Sequence, residues 1–320
     1  MQKLYTIVSS LKLGVLFFLI SFFVPTSFGD SYFDAGQSSI RLISESYQID
    51  AEDTLLVGLE IKLNSSWHTY WKNPGDSGEG ATIKWDLPEG FEASNILWPG
   101  PERIPVDPLM TYGYEDQVIL LTKIKSPQDF SDTLTISAKV TWLTCKEICI
   151  PQEGKVDLIL SKGPKEKSKF YKKLNDVSTS LPIPSLQSSR VVVINNKIFL
   201  QFEDLRPKDL SEVYFFPNDY GVISYVKEQK LEKNNKSLSL ELSPAEIQIE
   251  TNKLRGVLKI KTPTKEEFYE VDLPLGNGAK SSELSMSLLT GIFFAFLGGI
   301  ILNAMPCVFP ILSIKILGFI

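Results

Sequence analysis

Cysteine and histidine are scarce in this chain, with three of the former and one of the latter in 320 residues. Three cysteines are too few for a disulfide framework, and a chain of this length can build an apolar core without one. The single histidine, His68, has no cysteine near it in sequence, which leaves a four-coordinate zinc site short of ligands. Neither sign of charge dominates: 33 Lys plus Arg stand against 38 Asp plus Glu. No basic block is interleaved with aromatic residues, which argues against nucleic acid as a partner. No strong internal repeat is present, and nothing in the composition implies a cofactor.

What is present begins at the N-terminus. Lys3 and Lys12 precede an apolar run from Leu13 to Ile20, extended by Phe22, Phe23 and Val24; Pro25, Ser27 and Gly29 then form a plausible cleavage site before Asp30. Residues 1–29 read as a secretory signal peptide, with an uncleaved signal anchor as the alternative. Residues 284–320 are almost wholly apolar, with Lys315 their only charge. A helix of about 20 such residues crosses a bilayer, so this stretch reads as the start of a transmembrane domain in a longer polytopic protein. The lipid bilayer is therefore an expected partner, and the region between is expected to be exported.

That region reads as strands nearly throughout. Residues 40–44, 54–63, 117–125, 134–143 and 155–160 alternate or cluster β-branched and apolar side chains, with Pro, Gly, Asn and Asp in the gaps. Residues 162–176 are Lys-rich and suit a short helix, and residues 178–184 read as a linker. A second β-rich block follows at 190–194, 197–202, 212–216, 222–226, 237–242 and 256–261. The expected organisation is a β-sandwich over 30–161, a linker with a short helix over 162–189, a second β-sandwich over 190–280 and the start of an α-helical membrane domain over 284–320.

Cys145-Lys146-Glu147-Ile148-Cys149-Ile150-Pro151 carries the chemistry. On one extended strand the two cysteine Cα atoms would lie about 13 Å apart, far beyond the roughly 4.4–6.8 Å of a disulfide. A tight turn at Lys146-Glu147-Ile148 instead makes a hairpin with the cysteines opposite each other, about 4.5–5.5 Å apart. A helical turn would also bring them near, but the β-branched residues upstream and Pro151 downstream oppose one. A bridge closing so short a loop restricts the unfolded chain little, about 2 kcal/mol in the entropy model. Short turn-borne disulfides tend to be the labile ones. Redox chemistry leads; a structural bridge and a metal site remain as alternatives, zinc being the weakest.

Trp67-His68-Thr69-Tyr70-Trp71-Lys72-Asn73-Pro74-Gly75-Asp76-Ser77-Gly78, Trp98-Pro99, Tyr112-Gly113-Tyr114 and the Cys145–Cys149 segment, in that order, resemble the periplasmic N-terminal part of DsbD/ScsB-type thiol:disulfide interchange proteins. Leu302-Asn303-Ala304-Met305-Pro306-Cys307-Val308-Phe309-Pro310 resembles the start of their cytochrome-c-biogenesis-type transmembrane domain. The resemblance implies immunoglobulin-like sandwiches and a protein-disulfide reductase of the bacterial inner membrane with a periplasmic N-terminal region. It implies electrons relayed from cytoplasmic thioredoxin through the membrane domain to periplasmic substrate disulfides, with a thioredoxin-like domain or protein as a further partner. Cys145 and Cys149 would be the outer catalytic pair and Cys307 one of two intramembrane cysteines, its partner expected beyond residue 320. The spacing of the outer pair favours the ScsB-like branch. The rival from another class is a non-enzymatic β-sandwich binding or assembly module with a structural disulfide.

Other residues carry bland readings beside sharp ones. His68 either assists thiol chemistry or is a packed histidine among Trp67, Tyr70 and Trp71. The aromatic run is first of all core. Residues 73–80, rich in glycine, read as a connecting loop mobile enough to serve as a lid over the dithiol, with Tyr112-Gly113-Tyr114 as second choice. Pro306 and Pro310 flank Cys307 as either ordinary kinks or the irregular backbone of a working site, since such backbone persists at membrane depth only where buried or lining a cavity.

Overall fold

A computed structural model describes residues 31–184, 189–202, 210–233, 237–246, 251–276 and 296. The expected leader and, Phe296 apart, the expected membrane segment, Cys307 included, lie outside the described residues. Among those described, no helix is long and apolar enough to cross a membrane.

The first half holds β1 (Tyr32–Asp34), β2 (Ser38–Ser44), β3 (Gln48–Ile49), β4 (Thr54–Leu63), β5 (His68–Gly75), β6 (Thr82–Asp86), β7 (Glu92–Ala93), β8 (Glu102–Val106), β9 (Leu109–Glu115), β10 (Gln117–Lys125), β11 (Thr133–Cys145) and β12 (Cys149–Lys162). Helix α1 (Tyr171–Thr179) follows. Then come β13 (Ser189–Ile194), β14 (Lys197–Phe202), β15 (Glu212–Pro217), β16 (Lys230–Lys233), β17 (Leu238–Leu242), β18 (Lys253–Lys261) and β19 (Glu266–Gly276). The protein is mainly β, as its alternating segments predict.

One sheet runs β1-β2-β4-β10-β7; a second runs β3-β12-β11-β5-β9-β8, with β6 also paired to β11. Ile40, Leu42, Leu59 and Leu120 of the first sheet share a core with Ile136, Val140, Val156 and Leu158 of the second. Strand β11 alternates buried and exposed along most of its length, the pattern of a sheet with one face on the core and one in water. Strand β2 does not alternate and is buried on both faces. The reason is α1, whose Leu174 is fully buried against Ile43, Ile119 and Leu121 on the outer face of the first sheet. Gly58 makes room for it: a Cβ there would stand 2.6 Å from Leu174 Cδ2. Glu60, 1 % exposed, is paired with both Arg41 and Lys173, the latter from α1, so an ion triad fastens the helix to the sheet. Burial pushes the Glu60 carboxyl up, but the hydrogen bonds from Arg41 and Lys173 outweigh it and hold the group below its ordinary value.

The third sheet runs β15-β18-β19-β13-β14-β17-β16. It is two antiparallel stretches joined where β13 pairs in parallel with β19, at Val191↔Leu275 and Val192↔Gly276. Its aromatic face meets the second sheet. Trp71 stands edge-on to Phe216 at 6.2 Å, and the Tyr112 and Tyr214 hydroxyls are 2.8 Å apart. Asn73, fully buried, donates to the Pro217 carbonyl at 2.8 Å.

Three expectations are corrected. The helix lies later than residues 162–176 and takes in Ser178 and Thr179, because Leu174 and Lys173 need the first sheet to dock on. Residues 180–184 are less free than a linker: Ile183 bridges to Tyr269, donating to the Phe268 carbonyl and accepting from the Glu270 N–H. Residues 222–226 are not a strand. Val222, Ile223 and Tyr225 are buried, yet the chain there is a compact loop with a single bridge from Ile223 to Pro244.

Candidate functional site

Strand β11 runs into β12 through a three-residue turn closed by Lys146 N–H donating to the Ile148 carbonyl at 3.2 Å. Cys145 and Cys149 are cross-strand partners with Cα atoms 4.1 Å apart, and they form a disulfide. The expected hairpin is present and slightly tighter than expected.

The two sulfurs sit differently. In β11 the odd positions face outward: Lys139 and Thr141 are exposed, while Val140, Trp142 and Thr144 are buried. Cys145 falls on the outward phase and should be exposed, yet it is 2 % exposed. Cys149 is exposed, and Ile148 at the turn is 66 % exposed. Something therefore covers Cys145 from outside the hairpin.

The cover is β5. Cys145 pairs with His68, which puts His68 and, two residues on, Tyr70 on the same face as the sulfur. Tyr70 Oη lies 2.7 Å from Cys145 Sγ and 3.4 Å from Cys149 Sγ. Neither bridged sulfur carries a proton, so the phenol donates. Burial pushes the Tyr70 hydroxyl up to about 12, which keeps it an O–H donor across the neutral range. His68 is 5 % exposed and meets the Tyr70 ring edge-on at 5.3 Å between centroids. Burial lowers its pKa, so the imidazole is neutral.

The glycine-bearing segment is a backing for Tyr70. Residues 73–75 belong to β5, and Asn73 is spent on the third sheet. Gly78, with φ of +107°, lies so close to the Tyr70 ring that a Cβ would come within 2.2 Å of it. Glu79 and Gly80 then line a groove of about 270 Å³ with Leu143, Pro151 and Glu153 of the hairpin stem. Glu79 and Gly80 thus run beside the hairpin and Asp76 is tied to Met110 of β9, while the group on the sulfurs is Tyr70. Tyr112-Gly113-Tyr114 is no lid: Tyr112 is fully buried, Tyr114 is 7 % exposed, and both lie in β9.

The structure brings Cys145 and Cys149 together, as their spacing predicts, and adds Tyr70 and His68 from β5 to the same face. The aromatic run is core, as expected, with Trp71 fully buried. What distinguishes Tyr70 is one long-range pairing, β5 with β11 at a single register position, which no local pattern signals. Among the described residues no cluster of three or more His, Cys, Asp or Glu is placed to hold a metal ion.

Residues 43–161 match the family described as "Thiol:disulfide interchange protein DsbD, N-terminal". None of the curated proteins matches the chain. Among solved structures, the N-terminal periplasmic domain of ScsB from Proteus mirabilis is similar, with a TM-score of 0.58 and 17 % identity over 78 % of this chain and 100 % of that one. At that identity the likeness speaks to the fold. A chimeric titin Z1Z2 also aligns, with 10 % identity over 76 % of this chain and 98 % of the other, but its TM-score of 0.19 carries no argument.

Proposed function

Because residues 43–161 make this chain a DsbD/ScsB-type protein, we propose that it is a thiol–disulfide oxidoreductase working as a protein-disulfide reductase. The observation that carries this reading is the unequal treatment of the two sulfurs, one open to a partner and one covered by a phenol. A bridge that served only stability has no use for that asymmetry.

The reaction assigned to the pair is as follows. The Cys149 thiolate attacks one sulfur of a substrate disulfide; that S–S bond breaks and the distal sulfur leaves with the electron pair. Cys145, as thiolate, then attacks Cys149 Sγ and expels the second substrate sulfur. Two electrons have moved to the substrate, and the Cys145–Cys149 bond has formed. When an upstream thiolate attacks Cys149 Sγ to regenerate the pair, Cys145 is the leaving group, and the Tyr70 O–H is placed to donate to its developing charge. His68, being buried and neutral, adds no competing charge.

The wider reading places the protein in the bacterial inner membrane, with residues 30–161 as the redox-active sandwich, residues 190–280 as a second one, both immunoglobulin-like, and residues 284–320 entering the membrane. Electrons come from cytoplasmic thioredoxin through a relay that includes Cys307 and pass to disulfides of periplasmic proteins, directly or through a thioredoxin-like carrier. Redox titration with thiol trapping tests the core of this. A reversible two-electron transition of the Cys145–Cys149 pair in a dithiol buffer is expected, and a reduction-resistant bridge overturns it in favour of a structural disulfide. For the relay, Cys307→Ala should abolish transfer from thioredoxin to the pair while leaving the pair's own equilibrium with a dithiol unchanged.

A further inference from the structure

His68 is the sole imidazole of the sequence, and it stands in line with the disulfide. Across β9, β5, β11 and β12, the residues Glu115, His68, Cys145 and Cys149 are successive cross-strand partners. Partners directly opposite in antiparallel strands share a face, with Cβ atoms about 4.5–5.5 Å apart. The groups around the imidazole are therefore Tyr70 on its own strand, Cys145 on one side and the exposed Glu115 on the other.

Among the described residues, the buried His68 Nε2 has no hydrogen-bond partner. The side chain as a whole is 5 % exposed, so bulk solvent hardly reaches it. A buried polar atom without a partner is costly and uncommon, and here it lies beside a bond that opens in the reaction assigned to the site. In the disulfide state Cys145 carries no proton. In the dithiol state it gains one, and a thiol that is 2 % exposed can direct its weak S–H donor only at an acceptor inside the protein. While the Tyr70 O–H donates to Cys145 Sγ, that contact does not take the thiol hydrogen, which is left for a second acceptor.

We propose that His68 is the internal acceptor for the Cys145 thiol, so that its Nε2 is unpartnered in the oxidised protein and hydrogen-bonded in the reduced one. This rests on the reading of the pair as redox-active. The balance is simple. A reducing dithiol gives two electrons and two protons; the S–S bond breaks; one proton resides on Cys149, in exchange with solvent, and the other on Cys145, directed at Nε2. The contact exists only in the dithiol and stabilises that form, so His68 raises the reduction potential of the pair.

The test is the equilibrium of the full chain with a dithiol buffer, read by thiol trapping, for wild type, His68→Phe and His68→Gln. His68→Phe keeps a ring without an acceptor and should lower the equilibrium constant for reduction at least about tenfold, which is about 30 mV for a two-electron couple. His68→Gln, whose side-chain amide accepts, should recover part of the loss. An equilibrium constant for a folded His68→Phe within about twofold of wild type overturns the proposal. Should that variant fail to fold, the wild-type imidazole nitrogens read by NMR decide: Nε2 must shift between oxidised and reduced protein, and an unchanged resonance overturns it. If the wild-type bridge does not reduce reversibly at all, the redox reading itself fails and the proposal falls with it, an outcome distinct from an unaffected variant.

Discussion

Cys145 and Cys149 face each other across a 4.1 Å Cα–Cα pair, yet one is 2 % exposed and the other open to solvent. The two cysteines should therefore not be interchangeable. Cys145→Ser should accumulate a mixed disulfide between Cys149 and a substrate, whereas Cys149→Ser should accumulate little, because an incoming disulfide cannot reach Cys145. Both variants should lose net electron transfer and stay folded, losing about 2 kcal/mol of stability, since the bridge closes a short loop. Mass spectrometry of trapped adducts and denaturant melts check both halves; equal adduct yields, or global unfolding at room temperature, contradict them.

Tyr70→Phe removes the donor to the sulfurs and leaves the ring in place. A hydrogen bond to a charged partner contributes about 1.5–3 kcal/mol, so displacement of the Cys145 thiolate should slow by roughly tenfold to a hundredfold. The tyrosine itself, held up to about 12, should leave no inflection in the wild-type rate between neutral pH and pH 10. Stopped-flow reduction over that range is the measurement, and a wild-type rate matched by the variant would count against the role.

Gly78→Ala tests the backing of Tyr70. The added Cβ would approach the ring to 2.2 Å at a φ of +107°, so ring and segment must part. In the reduced variant the Cys145 thiol should be alkylated faster than in wild type, with a modest drop in melting temperature. Unchanged alkylation would mean that the segment does not hold the phenol in place.

Glu60→Gln tests the clamp on α1. The folded pKa of Glu60 lies below its ordinary value of 4.5, so the carboxylate contributes stability above that pH and loses it as pH falls through the folded value. The variant should be less stable by about 1–2 kcal/mol at neutral pH, the figure being discounted because Arg41 and Lys173 are partly in water. It should also have a flatter acid limb. Urea melts between pH 3 and 7 decide it; parallel curves for variant and wild type would show that the triad adds nothing.

Strands β4, β10 and β14 were legible to the residue, since each alternates or clusters apolar side chains between clear turn signals. Strands β5 and β9 were not, because Lys72-Asn73-Pro74-Gly75 and Leu109-Met110-Thr111 carry no clean period; the register between them shifts at Tyr70/Gly75, and both are buried on two sides. The hairpin of Cys145 and Cys149 followed from reach alone. The phenol over it did not, because Tyr70 and Cys145 are 75 residues apart and meet only through pairing of distant strands. The same limit hid the Glu60 triad, assembled from three separate elements.

Strand β5 has one further consequence, for how this chain tolerates changes in length. His68 and Tyr70 address the sulfurs, and Trp71 and Asn73 engage the third sheet, within six consecutive residues. Side chains alternate faces with a period of two, so inserting or deleting one residue between Tyr70 and Trp71 would put both sets on the same face. With His68 and Tyr70 held on the sulfurs, the indole would turn away from Phe216. A substitution along this stretch removes one contact at a time; a single-codon indel there moves a whole set, whereas the same change in the exposed loop at residues 131–132 leaves every one of these contacts in register.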